Sequence, residues 1–169
     1  MKLFKYVLLI SAVLGMQHVA LANDISKDSE NIAMLNAINT QEVKEADLAL
    51  KMNVNSAIKD FATMMKTDHN QSLSDTKNLS DSIHIAPTET DEVKKLKAKG
   101  EEEYKKLSSL TGRAFESAYI DSMINGHKDA LSFLDKAIND TQNNSLKDYF
   151  RKVREKVSMH LQHAEKLKG

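Results

Sequence analysis

The feature that most constrains this chain is the scarcity of turn residues: 169 residues contain one proline, Pro87, and five glycines. Glycine and proline punctuate a backbone because one frees φ and the other fixes it while removing a donor. A chain so poor in both cannot make the many turns of a sandwich or barrel. It can make long helices, provided that its apolar residues recur with a helical period.

They do recur that way, at about 100° per residue. Over roughly Ser29 to Met52, the residues Leu35, Ile38, Ala46 and Ala49 share one face. Ser29 is a candidate N-cap there, and Asp28 and Glu30 suit a helix start. Asn53-Val54-Asn55-Ser56 breaks the pattern and can cap the next helix. From about Ala57 to Ile83 the aligned set is Ile58, Phe61, Ala62, Met65, Leu79 and Ile83. That helix ends near Ala86-Pro87, since the residue before proline is pushed out of the helical region.

A weaker amphipathic helix, with Val93, Leu96, Tyr104 and Leu107, starts within Thr88 to Asp91 and reaches about Ser109, with Gly100 inside it. After the break at Ser108 to Gly112, roughly Arg113 to Asn139 aligns Phe115, Ala118, Tyr119, Met123, Ala130, Leu134 and Ala137. Asn139 to Asn144 is polar, and Ser145 with Asp148 resembles a capping box. The last helix, to about Lys168, aligns Leu146, Phe150, Val153, Val157, Leu161 and Ala164. Four helices of about 24 to 27 residues run roughly 36 to 40 Å each. Two short turns and one long crossover predict an all-α fold, a ferritin-like four-helix bundle with an additional short helix in the long connection between helices 2 and 3.

The N-terminus reads as a leader. Lys2 and Lys5 precede an apolar run from Tyr6 to Met16, and Ala20-Leu21-Ala22 is a small-residue cleavage site. The run is too short to span a bilayer. Residues 1–22 are therefore expected to be a signal peptide, and 23–169 a single domain. Cleavage removes two lysines and leaves 22 basic against 24 acidic residues, a net charge of −2. With no basic block, nucleic acid is not an expected partner. Without cysteine there are no disulfides, thiolate metal sites or lipoprotein anchor. The expectation is an exported protein, first of all periplasmic, with outer-membrane association or release also compatible. No transmembrane anchor is expected in the mature chain. No protein partner is indicated, and a homo-oligomer is compatible.

Four residues break the apolar pattern from inside. Glu42 lies between Ile38 and Ala46, His69 one turn after Met65, His127 one turn after Met123, and His160 between Val157 and Ala164. Glu42 is about 12 residues before the first turn and His69 about 14 after it; His127 is about 14 before the second turn and His160 about 17 after it. All four therefore share the middle third of the bundle. One carboxylate and three imidazoles form a sensible ligand set for Fe, Zn, Cu or Mn. Met65-x3-His69 and Met123-x3-His127 echo one another, which adds the two thioethers as possible ligands and favours copper. Asp68 can orient a neighbouring imidazole.

The same residues also suit a metal-free buried polar network, or, for the methionines, plain core packing. His163 and His84 read as solvated, Glu116 as an acid of a first helical turn, and Lys94-Lys95 and Glu101-Glu102-Glu103 as a wet face. No Glu-x-x-His, His-Glu-x-x-His, Gly-x-Ser-x-Gly or phosphate loop occurs, so no di-iron motif or catalytic set is identified.

The run Glu42…Phe61-Ala62-x-x-Met65-x-x-Asp68-His69, then Phe115-Glu116-x-x-Tyr119-x3-Met123-x3-His127, then His160, resembles the bacterial family called domain of unknown function 4142. The resemblance spans about residues 28 to 167. It implies export and a ferritin-like bundle, with characteristic polar positions at Glu42, Asp68, His69, Tyr119, His127 and His160. Glu116 stands where Asp is usual and Gly126 where an acid is common. The resemblance implies no reaction. The leading expectation is metal binding, in metal or oxidative stress protection; the rival is a non-catalytic envelope structural or interaction protein, and a haem site in the core is a third.

Overall fold

The computed structural model describes the backbone of residues 7–168 and the side chains from Asp24 onward. Lys2 and Lys5 of the expected leader lie outside the described residues, as do the side chains of its apolar run and cleavage site. Five helices follow in order: α1 (Val7–Lys51), α2 (Ser56–Ile83), α3 (Asp91–Ser108), α4 (Gly112–Asp140) and α5 (Asn144–Lys168). Among the described residues there is no strand, so the all-α expectation holds.

Two helix ends differ from expectation, and a third is closed by a different device. Ser29 is not an N-cap, because α1 begins upstream of it; no glycine or proline lies between Gly15 and Gly100 except Pro87, so nothing stops the helix there. The Ser29 hydroxyl instead donates to the Ala86 carbonyl and meets Thr88 Oγ1 at 2.7 Å, which pins the α2–α3 connection to α1. Helix α2 stops at Ile83 as expected, but it is closed by a left-handed residue rather than by Pro87. His84 adopts φ 56° there. The His84 N–H reaches Asp81 O and the Ile85 N–H reaches Ser80 O, a Schellman closure with Ile85 buried. Finally, Asn143 rather than Ser145 caps α5, accepting from Leu146 N at 3.0 Å. The expected cap at the first turn is present: Asn55 Oδ1 accepts from Ile58 N.

Helix α1 packs chiefly on α2, and α4 on α5; α2 also meets α5, α1 meets α4, and α3 lies across α1 and α4. The core divides into two large apolar bodies and a small third one of Ala33, Ala37 and Val93 between α1 and α3. One large body gathers Ala46, Ile58, Phe61, Met65, Phe115, Tyr119, Met123 and Ala164. The other gathers Leu35, Ala130, Leu134, Leu146, Phe150 and Val157. Phe61, Phe115 and Phe150 are fully buried, each stabilising the fold by roughly 1.5–3 kcal/mol. On every long helix, the step from one body to the other crosses the polar residue singled out above. Among the described residues, no helix is long and apolar enough to cross a membrane.

Candidate metal centre

Between the two apolar bodies lies a buried polar layer of Asn39, Glu42, His69, His127 and His160. The histidines come from α2, α4 and α5, each one turn from a buried apolar residue that locks its helix face. Their ring centroids are 5.4 to 6.0 Å apart. One ligand atom from each histidine lies within 4.8 Å of those of the other two.

The opposite edge of each ring is tied down. His69 Nδ1 donates to Asn39 Oδ1 at 2.8 Å, His127 Nδ1 to the Met123 carbonyl at 2.7 Å, and His160 Nε2 to Asp68 Oδ2 at 2.9 Å. These oxygens can only accept, so each facing nitrogen carries the proton. The remaining nitrogens, His69 Nε2, His127 Nε2 and His160 Nδ1, therefore hold lone pairs, and all three are buried with no partner in the protein. Burial lowers the pKa of all three imidazoles, and the neighbouring rings lower that of His69 further; for His127 the result is about 4. In His160, Asp68 opposes part of the effect of burial. At neutral pH the rings are uncharged, and three acceptors face one another with no proton between them.

Asp68 performs the orienting role expected of it, but on His160 rather than on adjacent His69. Burial alone would raise its pKa; hydrogen bonds from His160 and Lys156 outweigh this and hold it low. Its second oxygen takes Lys156 Nζ at 3.1 Å. A cavity of about 290 Å³ between α2 and α5, lined by Asp68, His69, Ser72, Tyr149, Lys156 and His160, opens beside the cluster.

Glu42 belongs to the same layer but not to the histidine trio. Its Oε1 stands 3.9 Å from His127 Nδ1, the edge of the ring already committed to Met123. That spacing suggests an ion pair, yet burial raises Glu42 to about 8 and lowers His127 to about 4. Both are neutral between those values, so the contact is not a salt bridge. Glu42 Oε2 has no partner in the protein. Met65 and Met123 are buried in the first apolar body, and Met123 enters the polar layer through its backbone carbonyl.

Tyr119 is wholly buried, stacked on Phe115 at 5.8 Å, and its hydroxyl has no partner in the protein. Burial pushes its pKa upward, and Glu42 and Glu45 add to the shift. Glu116 accepts from Asn55 N at 2.7 Å and so fastens the α1–α2 turn to α4. His163 is not solvated: it is half-buried, edge-on to Phe61 at 5.1 Å. His84, the exposed αL residue, lies far along the chain from this layer.

Two participants were not anticipated, Asn39 and Glu45. Each lies three residues from Glu42 along α1, so helical spacing was the available signal. Glu45 is buried, and burial followed by the nearness of Glu42 raises it to about 7, against hydrogen bonds from Gln41 and Ser122.

The family model described as Domain of unknown function (DUF4142) matches residues 15–167, nearly the whole chain. The chain belongs to this DUF4142 family. The match reaches into all five helices, includes every residue of the polar layer, and begins inside the stretch expected to be a leader. No curated protein and no solved structure matches the chain.

Proposed function

We propose that this chain is an exported, ferritin-like four-helix bundle of the cell envelope that holds one metal ion on His69, His127 and His160. The observation that carries the reading is the tautomer pattern: three inward lone pairs, each enforced by an oxygen on the far side of its ring. Metal-binding histidines are typically oriented in this way, by a carboxylate or carbonyl on the second nitrogen. A metal-free network needs donors between those nitrogens. None is present among the described side chains, and lowered pKa values oppose protonating a ring to make one.

Three neutral imidazoles suit zinc, copper or iron, with a fourth position left for water or an exogenous ligand. Manganese, a harder ion, is a poorer match to an all-imidazole trio. The ion would draw the three nitrogens closer, since ligands at about 2.0–2.1 Å from zinc lie roughly 3.3 Å apart. Asp68, held ionised behind His160, supplies negative charge to offset the ion. The small α2–α5 cavity gives it a way in. The role is metal binding, in metal or oxidative stress protection, with no reaction assigned. The leader over residues 1–22 delivers the 23–169 domain to the periplasm.

Equilibrium dialysis against mixed Fe, Zn, Cu and Mn, followed by elemental analysis, tests this. About one equivalent of one metal per chain is expected, lost in His127→Ala. If the intact chain retains no metal, the histidines are a structural layer and the reading fails.

A further inference from the structure

A second, larger cavity has none of the three histidines in its lining. It occupies about 1080 Å³ between α1, α3 and α4, at the upper end of ligand pockets, which run roughly 300–1,000 Å³. Ala37, Ile38, Val93, Leu96, Ala130 and Phe133 give it an apolar floor, and charged residues of α1, α3 and α4 line its rim. Asn36, Glu42 and Glu45 of α1 also line it. Glu42 is only 8% exposed. Both Glu42 Oε2 and Asn36 Oδ1 are acceptors with no partner in the protein.

No protein cation serves these carboxyls. The lysines around the cavity are all engaged with acids of its rim: Lys44 with Glu101, Lys97 with Glu89, Lys99 with Asp129 and Lys106 with Glu103. Glu45 receives only the neutral donors Gln41 Nε2 at 2.6 Å and Ser122 Oγ at 3.3 Å. Two glycines shape the space. A Cβ on Gly126 would stand 3.4 Å from Glu42 Oε1, and one on Gly100 would meet Gln41 at 2.8 Å. Gly100 thus lets α3 close over α1, with its carbonyl taking the Gln41 amide.

A partly apolar cavity with unpartnered acceptors on its α1 wall, and lysines held only in ion pairs at its rim, is complementary to one kind of molecule. We propose that the α1–α3–α4 cavity binds a small amphiphile bearing a protonated amine, its apolar body against the helix walls and its N–H groups on Glu42 and Glu45. Buried acceptor oxygens without a donor are unfavourable, and the N–H groups of the amine supply the missing donors. A carboxylate ligand would face like charge, and an alcohol would offer one donor and no charge. None of the three histidines lines this cavity, and Glu45 does not touch them, so the site is tested separately from the metal reading.

The test uses calorimetric titration of the full chain with n-octylamine, n-octanol and octanoate at neutral pH, in chelator-treated and zinc-supplemented samples. One octylamine per chain is expected in both, at least tenfold tighter than octanol, with octanoate weaker still. Glu45→Gln should cost octylamine at least tenfold in affinity and leave octanol unchanged. Ala118→Trp, which fills the cavity, should abolish binding of all three. Octanol binding as tightly as octylamine, octylamine unaffected by Glu45→Gln in a chain of unaltered helicity, or no octylamine binding at millimolar concentration would each overturn the proposal. The comparison of the three ligands on the unmodified chain stands even if a variant fails to fold.

Discussion

Two polar regions share one level of this bundle and are built on opposite rules. On the α2–α4–α5 side, every imidazole is paired at its outer edge and unpaired at its inner one. On the α1 side, Glu42 and Glu45 are buried acids with no basic partner, both displaced upward in pKa. The first region has its rings oriented in advance, each with one unpaired nitrogen. The second has acceptors in excess and remains protonated at mildly acidic pH. Burial by itself therefore says little about a polar residue; which of its atoms are already satisfied decides what it can do.

The sharpest way to break the contrast is to remove a histidine. Saturating zinc, at about 1,000 times Kd, should stabilise the chain by about 4 kcal/mol, read as a rise in thermal midpoint. His127→Ala should erase that rise. Glu45→Gln should keep it. Equal zinc responses in the two variants would dissolve the distinction between the regions.

A pH series on metal-free protein probes the acid side. The raised carboxyls contribute stability that is present below about 4.5, their ordinary value, and lost as pH rises through about 7 for Glu45 and about 8 for Glu42. Each group adds a slope of up to about 1.4 kcal/mol per pH unit in that window. Denaturant melts of a Glu42→Gln, Glu45→Gln double variant should therefore show a flatter decline from pH 5 to 8 than the unmodified chain. The histidines act in the opposite sense: their lowered values give stability present above 6.5 and lost as pH falls toward about 4. A double variant with the same pH profile as the parent would mean that the two acids are not held neutral by the fold.

Smaller effects separate orientation from ligation. Asp68→Ala or Asn39→Ala should weaken zinc affinity 10- to 100-fold, as removal of a ring-orienting partner commonly does, without abolishing binding. A competition titration with a chromophoric chelator resolves that range. The smallest change belongs to the apolar ends. Asn55→Ala removes the α2 cap and should cost about 1 kcal/mol, equally with and without zinc in parallel melts.

Much of this was legible in the sequence because a helical period is a strong signal when glycine and proline are scarce. Depth counting along helices placed His69, His127 and His160 at one level, and the three rings do meet. Counting could not say which way Glu42 faces across the layer, since rotation about a helix axis depends on packing with three neighbours. It also missed the partners that determine the chemistry. Asn39 looks like any polar residue of a helix, and Asp68 was adjacent in sequence to one histidine while bonding another, His160, from α5. The helix ends fared least well where tertiary contacts took over a local signal, as when Ser29 left its cap role to hold the Ala86–Thr88 connection. The α1–α3–α4 cavity had no sequence signature at all, because it results from how α3 lies over two other helices.

X-ray absorption spectroscopy of the zinc-loaded chain is the decisive test of the three-histidine centre. Three imidazole nitrogens at about 2.0–2.1 Å with one further light-atom ligand are predicted, falling to two imidazoles or no bound zinc in His127→Ala. A spectrum with fewer than three imidazoles in the unmodified chain, or one unchanged by His127→Ala, would contradict it.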